Sequence, residues 1–133
     1  MAPRKRTSSK NVVSTVDVWG NPVHCTAKQW TTHIIEPLDG HPEITGRERD
    51  VAKAINDPDL VRPSTTTGKA YAFETVTTSE TLRVMVYYDN PSLFQAGRTI
   101  GTVATAYVDD PAYISRVGAP IYTKKASKPK EGK

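Results

Sequence analysis

The feature that most constrains this chain is a change of period at Asp59. Before it, apolar residues recur at helical spacing; after it, they alternate. Between Ala27 and Glu36, Trp30 and Ile34 stand four apart with Ile35 adjoining, and Thr26 is placed to cap the helix that Pro37 ends. Within residues 46–56, Val51, Ala54 and Ile55 mark one helical face, and Asn56-Asp57-Pro58-Asp59 stops it. Leu60-Val61 begins an extended stretch, and Thr65-Thr66-Thr67-Gly68 is a loop tip. Strands are predicted over 69–75, 81–88 and 99–108. Upstream, residues 16–26 alternate on both sides of Gly20-Asn21-Pro22 and read as a hairpin or paired short strands. Two helices followed by sequential strands give an α+β expectation: an N-terminal hairpin and two helices packed on a small antiparallel sheet.

At 133 residues the chain suits one domain. Its net charge of +4 is unevenly spread. Residues 1–10 carry Arg4, Lys5, Arg6 and Lys10 without an acid. Residues 124–133 carry five lysines against Glu131, so each end is +4 and residues 11–123 are left at −4. The expected organisation is therefore a mildly acidic domain over 11–123 between disordered basic tails, 1–10 and 124–133. Such tails either attract polyanions through phosphate contacts or serve only as solubilising ends. The start has no apolar core of a secretory signal, and no apolar run approaches the ~20 residues that cross a bilayer, so a cytoplasmic protein without a membrane partner is expected. Cys25 is the single cysteine, which excludes an internal disulfide, and one Cys with three His at these spacings is a poor zinc set.

Two groups of residues could carry chemistry. His33, Glu36, His41 and Glu43 place two imidazoles and two carboxylates within eleven positions. Imidazole, with an ordinary pKa of ~6.5, suits proton transfer near neutrality. The plainer reading has His33 capping a carbonyl and His41-Pro42 as an exposed turn. The second group is Arg83, Arg98, Thr102, Thr105 and Tyr107. Unbroken alternation puts Val103, Thr105 and Tyr107 on one face, where a hydroxyl and an arginine could hold a phosphate. Here the plainer reading is that Thr simply favours strands and Arg83 is solvated.

The order of the pieces adds to this. His24-Cys25-Thr26, Trp30-Thr31-Thr32-His33-Ile34-Ile35-Glu36, His41-Pro42-Glu43-Ile44, Ala54 to Val61 with its Asp57-Pro58-Asp59, Leu82 to Val86, and Thr102 to Tyr107 follow one another. Together, across residues 16–109, they resemble the phage-associated branch of the barnase–EndoU–colicin–RelE-like (BECR) nuclease superfamily. The resemblance implies a toxin-like endoribonuclease that needs no metal or other cofactor and leaves a 2′,3′-cyclic phosphate. It casts His33 as the essential base or acid, meeting Thr105 in one cleft, with His41 or Glu43 as its partner and Arg83 or Arg98 with Thr105 as phosphate holders. Tyr71 and Tyr107 would stack on an unpaired base. The implied partners are RNA, tRNA among the candidates, and an immunity or antitoxin protein, in the cytoplasm of the producing or a target cell. One departure is that Gly40 stands where relatives carry an arginine before the second histidine. The alternative is a non-catalytic phage or bacterial accessory protein that keeps the fold for nucleic-acid or protein binding.

Overall fold

A computed structural model describes residues 10–38, 40–109 and 117–124. Seven strands form one sheet: β1 (Asn11–Val16), β2 (Pro22–Thr26), β3 (Leu60–Pro63), β4 (Ala70–Val76), β5 (Thr81–Tyr88), β6 (Gly101–Asp109) and β7 (Tyr122–Thr123). Their spatial order is β1-β2-β6-β5-β4-β3-β7. The helical parts are few. Helix α1 (Ala27–Gln29) runs into a π turn (Trp30–Ile34), α2 spans Glu48–Asn56, and 3-10 turns occupy Pro42–Ile44 and Pro91–Ala96. The α+β expectation holds at this level.

The alternation of β5 shows why the layers form. Leu82, Val84, Val86 and Tyr88 are buried with Val51, Ala54 and Ile55 of α2 and with Phe73 of β4 in one core. Each such side chain removed from water contributes about 1.5–3 kcal/mol. The intervening Thr81, Arg83, Met85 and Tyr87 point to the opposite face. A buried polar knot fastens the β1–β2 turn to that core. The Asp17 carboxylate accepts from Tyr88 Oη at 2.7 Å and Asn21 Nδ2 at 2.8 Å, and Asn21 Nδ2 also donates to the Phe94 carbonyl at 2.7 Å. Thr99 N donates to Asn21 Oδ1 at 3.0 Å, so the turn, the second 3-10 turn and the approach to β6 are held together.

Three expectations need correction. The sheet is not wholly antiparallel: β2 and β6 pair in parallel at Val23–Gly101 and His24–Thr102. The long connection from β2 to β6 carries the helices and β3–β5, which meets the crossover requirement for a parallel pair. Second, β6 does not alternate throughout. Met85 faces Thr105 while Val86 faces Val103, so Ala104 is an extra residue in a bulge. Val103 therefore lies on the core face, and Thr105 with Tyr107 on the other. Third, the expected tails begin one residue too far inward at each end. The Lys10 carbonyl accepts from Ala27 N at 2.8 Å, and Lys124 N donates to the Asp59 carbonyl at 2.9 Å. The rest of both tails lies outside the described residues. Smaller differences are the earlier start of β1, the 3-10 turn at 91–96 and the two-residue β7, none of which carries a strong pattern in sequence.

Candidate functional site

After Thr26, strand β2 gives way to α1, so a strand pairs with only the first part of β6 on that side. Thr26 caps the helix, its hydroxyl accepting from Gln29 N at 3.1 Å. Gln29 in turn donates through Nε2 to the Val103 and Ala104 carbonyls, both at 3.3 Å. This side chain takes the place of a neighbouring strand and satisfies the carbonyls of the bulge.

The helix closes with a wide π bond, Ile35 N to Trp30 O at 2.9 Å. Gly40 N donates to Glu36 O at 2.8 Å and His41 N to Ile34 O at 2.7 Å, which folds the chain back. A Cβ on residue 40 would lie 2.5 Å from the His33 carbonyl oxygen and 2.8 Å from both the nitrogen and the oxygen of Glu36. Only glycine fits that turn, so a side chain as large as arginine has no room at this position.

The return brings His41 to the sheet. Its ring lies 5.1 Å from the Tyr107 ring, tilted by 40°. Its Nδ1 is 3.4 Å from Glu43 Oε2. Both side chains of this pair are partly exposed, so the pair meets solvent. Tyr107 also covers Arg83, whose Cζ is 5.6 Å from the ring centroid.

Arg83 itself is buried, contrary to the solvated reading. Its Nε donates to Glu74 Oε2 at 2.8 Å and its Nη1 to Asp109 Oδ2 at 2.7 Å. Arg62 Nε lies 3.3 Å from the same Glu74 oxygen. Burial works against the Arg83 charge, but hydrogen bonding to Glu74 and Tyr107 outweighs it and holds the guanidinium above its ordinary pKa. Its fork is thus committed to carboxylates, and its place is beneath Tyr107 rather than at a phosphate.

Beside Tyr107 a cleft of about 250 Å³ opens on the face away from α2. Thr105 and Tyr107 line it with Met85, Tyr87 and Ala104, and the β3–β4 connection adds Ser64, Thr66 and Thr67. None of the described residues lining it is charged. His41, Glu43, Arg83, Thr105 and Tyr107 are therefore neighbours in one region of the molecule.

The other three sequence candidates stand apart from it. The expected meeting of His33 with Thr105 does not occur in this cleft: His33 is exposed on the π turn, lines no part of the cleft, and its side chain makes no hydrogen bond, ion pair or ring contact among the described residues. Arg98 precedes β6, and the strand from Gly101 to Tyr107 alone is about 20 Å long at ~3.3 Å per residue. Tyr71 points to the core face, half-buried and stacked on Phe94 with centroids 4.0 Å apart, so it cannot share a base with Tyr107.

Sequence reasoning misses Gln29, Glu74, Asp109 and Tyr87. The carboxylates carry no local signal, because Glu74, Arg83 and Tyr107 meet only through the register of three strands. Cys25 is sealed in the core, where burial pushes its thiol up to about 12 and removes it as a nucleophile near neutrality. Among the described residues no three His, Cys, Asp or Glu side chains gather as a metal set, and no helix is long and apolar enough to cross a membrane. Compared with protein-family models, curated proteins and solved structures, the chain has no match.

Proposed function

We propose that this protein is a metal-independent endoribonuclease of the toxin-like kind, with its reacting centre at the His41–Tyr107 contact. One observation carries the reading. The His41-Pro42-Glu43 segment and the Thr105-Ala106-Tyr107 part of β6 are far apart in sequence, yet His41 and Tyr107 lie ring to ring at 5.1 Å beside an open cleft.

The chemistry needs only proton transfer and charge stabilisation. The substrate's 2′-oxygen attacks the adjacent phosphorus, forming the O2′–P bond as its proton passes to a base. The P–O5′ bond then breaks as an acid protonates the leaving oxygen, giving a 2′,3′-cyclic phosphate and a 5′-hydroxyl. His41 is the group assigned to move a proton, with Glu43 on Nδ1 orienting the ring so that Nε2 is available to substrate. Tyr107 holds the imidazole, and Arg83 positions Tyr107 from beneath. The Thr105 hydroxyl steadies the phosphorane.

The second reading, a non-catalytic binding domain, is favoured by the commitment of Arg83 to two carboxylates, which leaves the cleft lining without a cation among the described residues. Incubation of the purified full chain with total RNA in EDTA separates the two. Discrete cleavage with cyclic-phosphate ends, abolished in His41→Ala, supports the nuclease. Intact RNA with retained binding supports the second reading.

A further inference from the structure

The cleft beside the reacting centre differs in chemistry from a phosphate site. Along the solvent face of β5 and β6, Met85 and Thr105 are register partners. Tyr87 stands two residues from Met85 on one side, and Tyr107 two residues from Thr105 on the other. The Tyr87 and Tyr107 positions are therefore about 13 Å apart along the strands at ~3.3 Å per residue. A platform of threonine and methionine with a tyrosine at either end suits a flat ring that stacks on an aromatic or on apolar atoms. The hydroxyls of Ser64, Thr66 and Thr67 at the β3–β4 side supply neutral donors and acceptors for the edge of such a ring. A volume of about 250 Å³ accommodates one base and not two stacked pairs. Tyr87, 46 % exposed, is among the exposed large apolar side chains of the described residues, and on this face it has an aromatic surface open to a ligand.

We infer that this cleft receives a single unpaired nucleobase of a single-stranded RNA, and that Tyr87 is a substrate-binding residue there. The inference rests on the nuclease reading for its choice of ligand, and it makes unpaired RNA rather than duplex the substrate class. Thr105 stands at the boundary, with the base on the Tyr87 side and the scissile phosphate toward His41.

The test uses the full chain and a short single-stranded 2′-O-methyl oligoribonucleotide, which cannot be cleaved by 2′-attack, with fluorescence anisotropy as the readout. Tyr87→Ala is expected to weaken binding about five- to 150-fold, the range for loss of one aromatic–base stack, and Tyr87→Phe to retain it. Ala104→Leu, which fills the cleft from the bulge, should weaken binding as well. The same sequence as a duplex and free nucleoside monophosphates should compete at least about tenfold less well than the single strand. Binding unchanged in both Tyr87→Ala and Ala104→Leu overturns the assignment. So does equal competition by duplex, and equal competition by mononucleotides reduces the ligand to a free nucleotide and overturns the strand. Cleavage is measured separately on unmodified RNA. Tyr87-dependent binding without cleavage leaves the base site standing and removes the nuclease reading, whereas cleavage indifferent to Tyr87 does the reverse.

Discussion

At the scale of single residues, the groups suited to chemistry divide into those that face solvent and those that hold them. His41 and Glu43 are accessible, whereas Arg83 is enclosed with Glu74 and Asp109. Removing Arg83 would leave Glu74 as a buried carboxylate whose remaining ion-pair partner among the described residues is Arg62. Breaking a buried pair in this way costs about 3–5 kcal/mol, so Arg83→Ala should lower the urea midpoint sharply, and cleavage by this variant would report folding rather than catalysis. A Glu74→Gln, Arg83→Met double variant should recover much of that stability, as matched apolar or neutral replacement of a buried ion pair does. A midpoint unchanged by Arg83→Ala would contradict a buried, stabilising pair. Cys25 gives a pH test. Its folded-state pKa is raised from 9.0 to about 12, so its contribution to stability is complete below pH 9 and disappears as pH rises from there toward 12. Burial and the bond to Asp17 raise the Tyr88 phenol in the same direction. Cys25→Ala should therefore flatten the fall in denaturation midpoint across that window, and the native thiol should resist aromatic disulfide reagents at pH 8 until denaturant is added. Rapid native-state labelling would show that the thiol is not sealed.

At the scale of elements, the decisive feature is the short parallel pairing of β2 with β6 and the helix that replaces β2 thereafter. Gln29 substitutes for the missing strand at the bulge. Gln29→Ala leaves two carbonyls without that donor and should cost about 1–3 kcal/mol in thermal or chemical denaturation. Gln29→Glu should cost at least as much, because a carboxylate accepts and cannot donate there. Gly40→Arg, the change toward the pattern of the resembled family, should destabilise the return turn rather than add a useful cation, since a Cβ there meets the His33 carbonyl at 2.5 Å. These elements also show what is legible in sequence. The strands at 70–76, 81–88 and 101–109 and the face Val51–Ala54–Ile55 follow from period alone, because burial on one side imposes it. The bulge at Ala104 is not legible, since an inserted residue leaves composition unchanged and shows itself only against the partner strand. That single residue separates Val103 from Thr105 and decides which hydroxyl faces the cleft. The order of motifs points instead to His33 meeting Thr105, so the contact of His41 with Tyr107 is not legible in it: the turn at Gly40 that returns the chain to the sheet carries no such signal. The withdrawal of Tyr71 to the core is not legible either, because a tyrosine in an alternating strand suits either face.

At the scale of the whole molecule, charge and function are in tension. The body is mildly acidic and its cleft lining neutral, while the cations cluster toward the two ends of the chain. Affinity for a polyanion would then come from the ends, and selectivity from the cleft. Removing residues 1–9 and 125–133 should weaken RNA binding and make it less dependent on salt. The logarithmic slope should fall by about 0.7 for each single-strand phosphate that the ends neutralise. Titrations at several salt concentrations check this, and an unchanged slope would assign the phosphate binding to the body instead. If His41 carries the chemical step as proposed, the ends should not affect that step on a saturating substrate. The most direct measurement is single-turnover cleavage of single-stranded RNA in EDTA by wild-type protein and His41→Ala, with unfolding midpoints recorded for both. Wild-type protein should leave 2′,3′-cyclic phosphate ends, and His41→Ala should be about 10²–10⁴-fold slower at an unchanged midpoint, as for a positioned acid or base. Wild-type protein that leaves the RNA intact, or His41→Ala that cleaves at the wild-type rate, would contradict catalysis at the His41–Tyr107 centre.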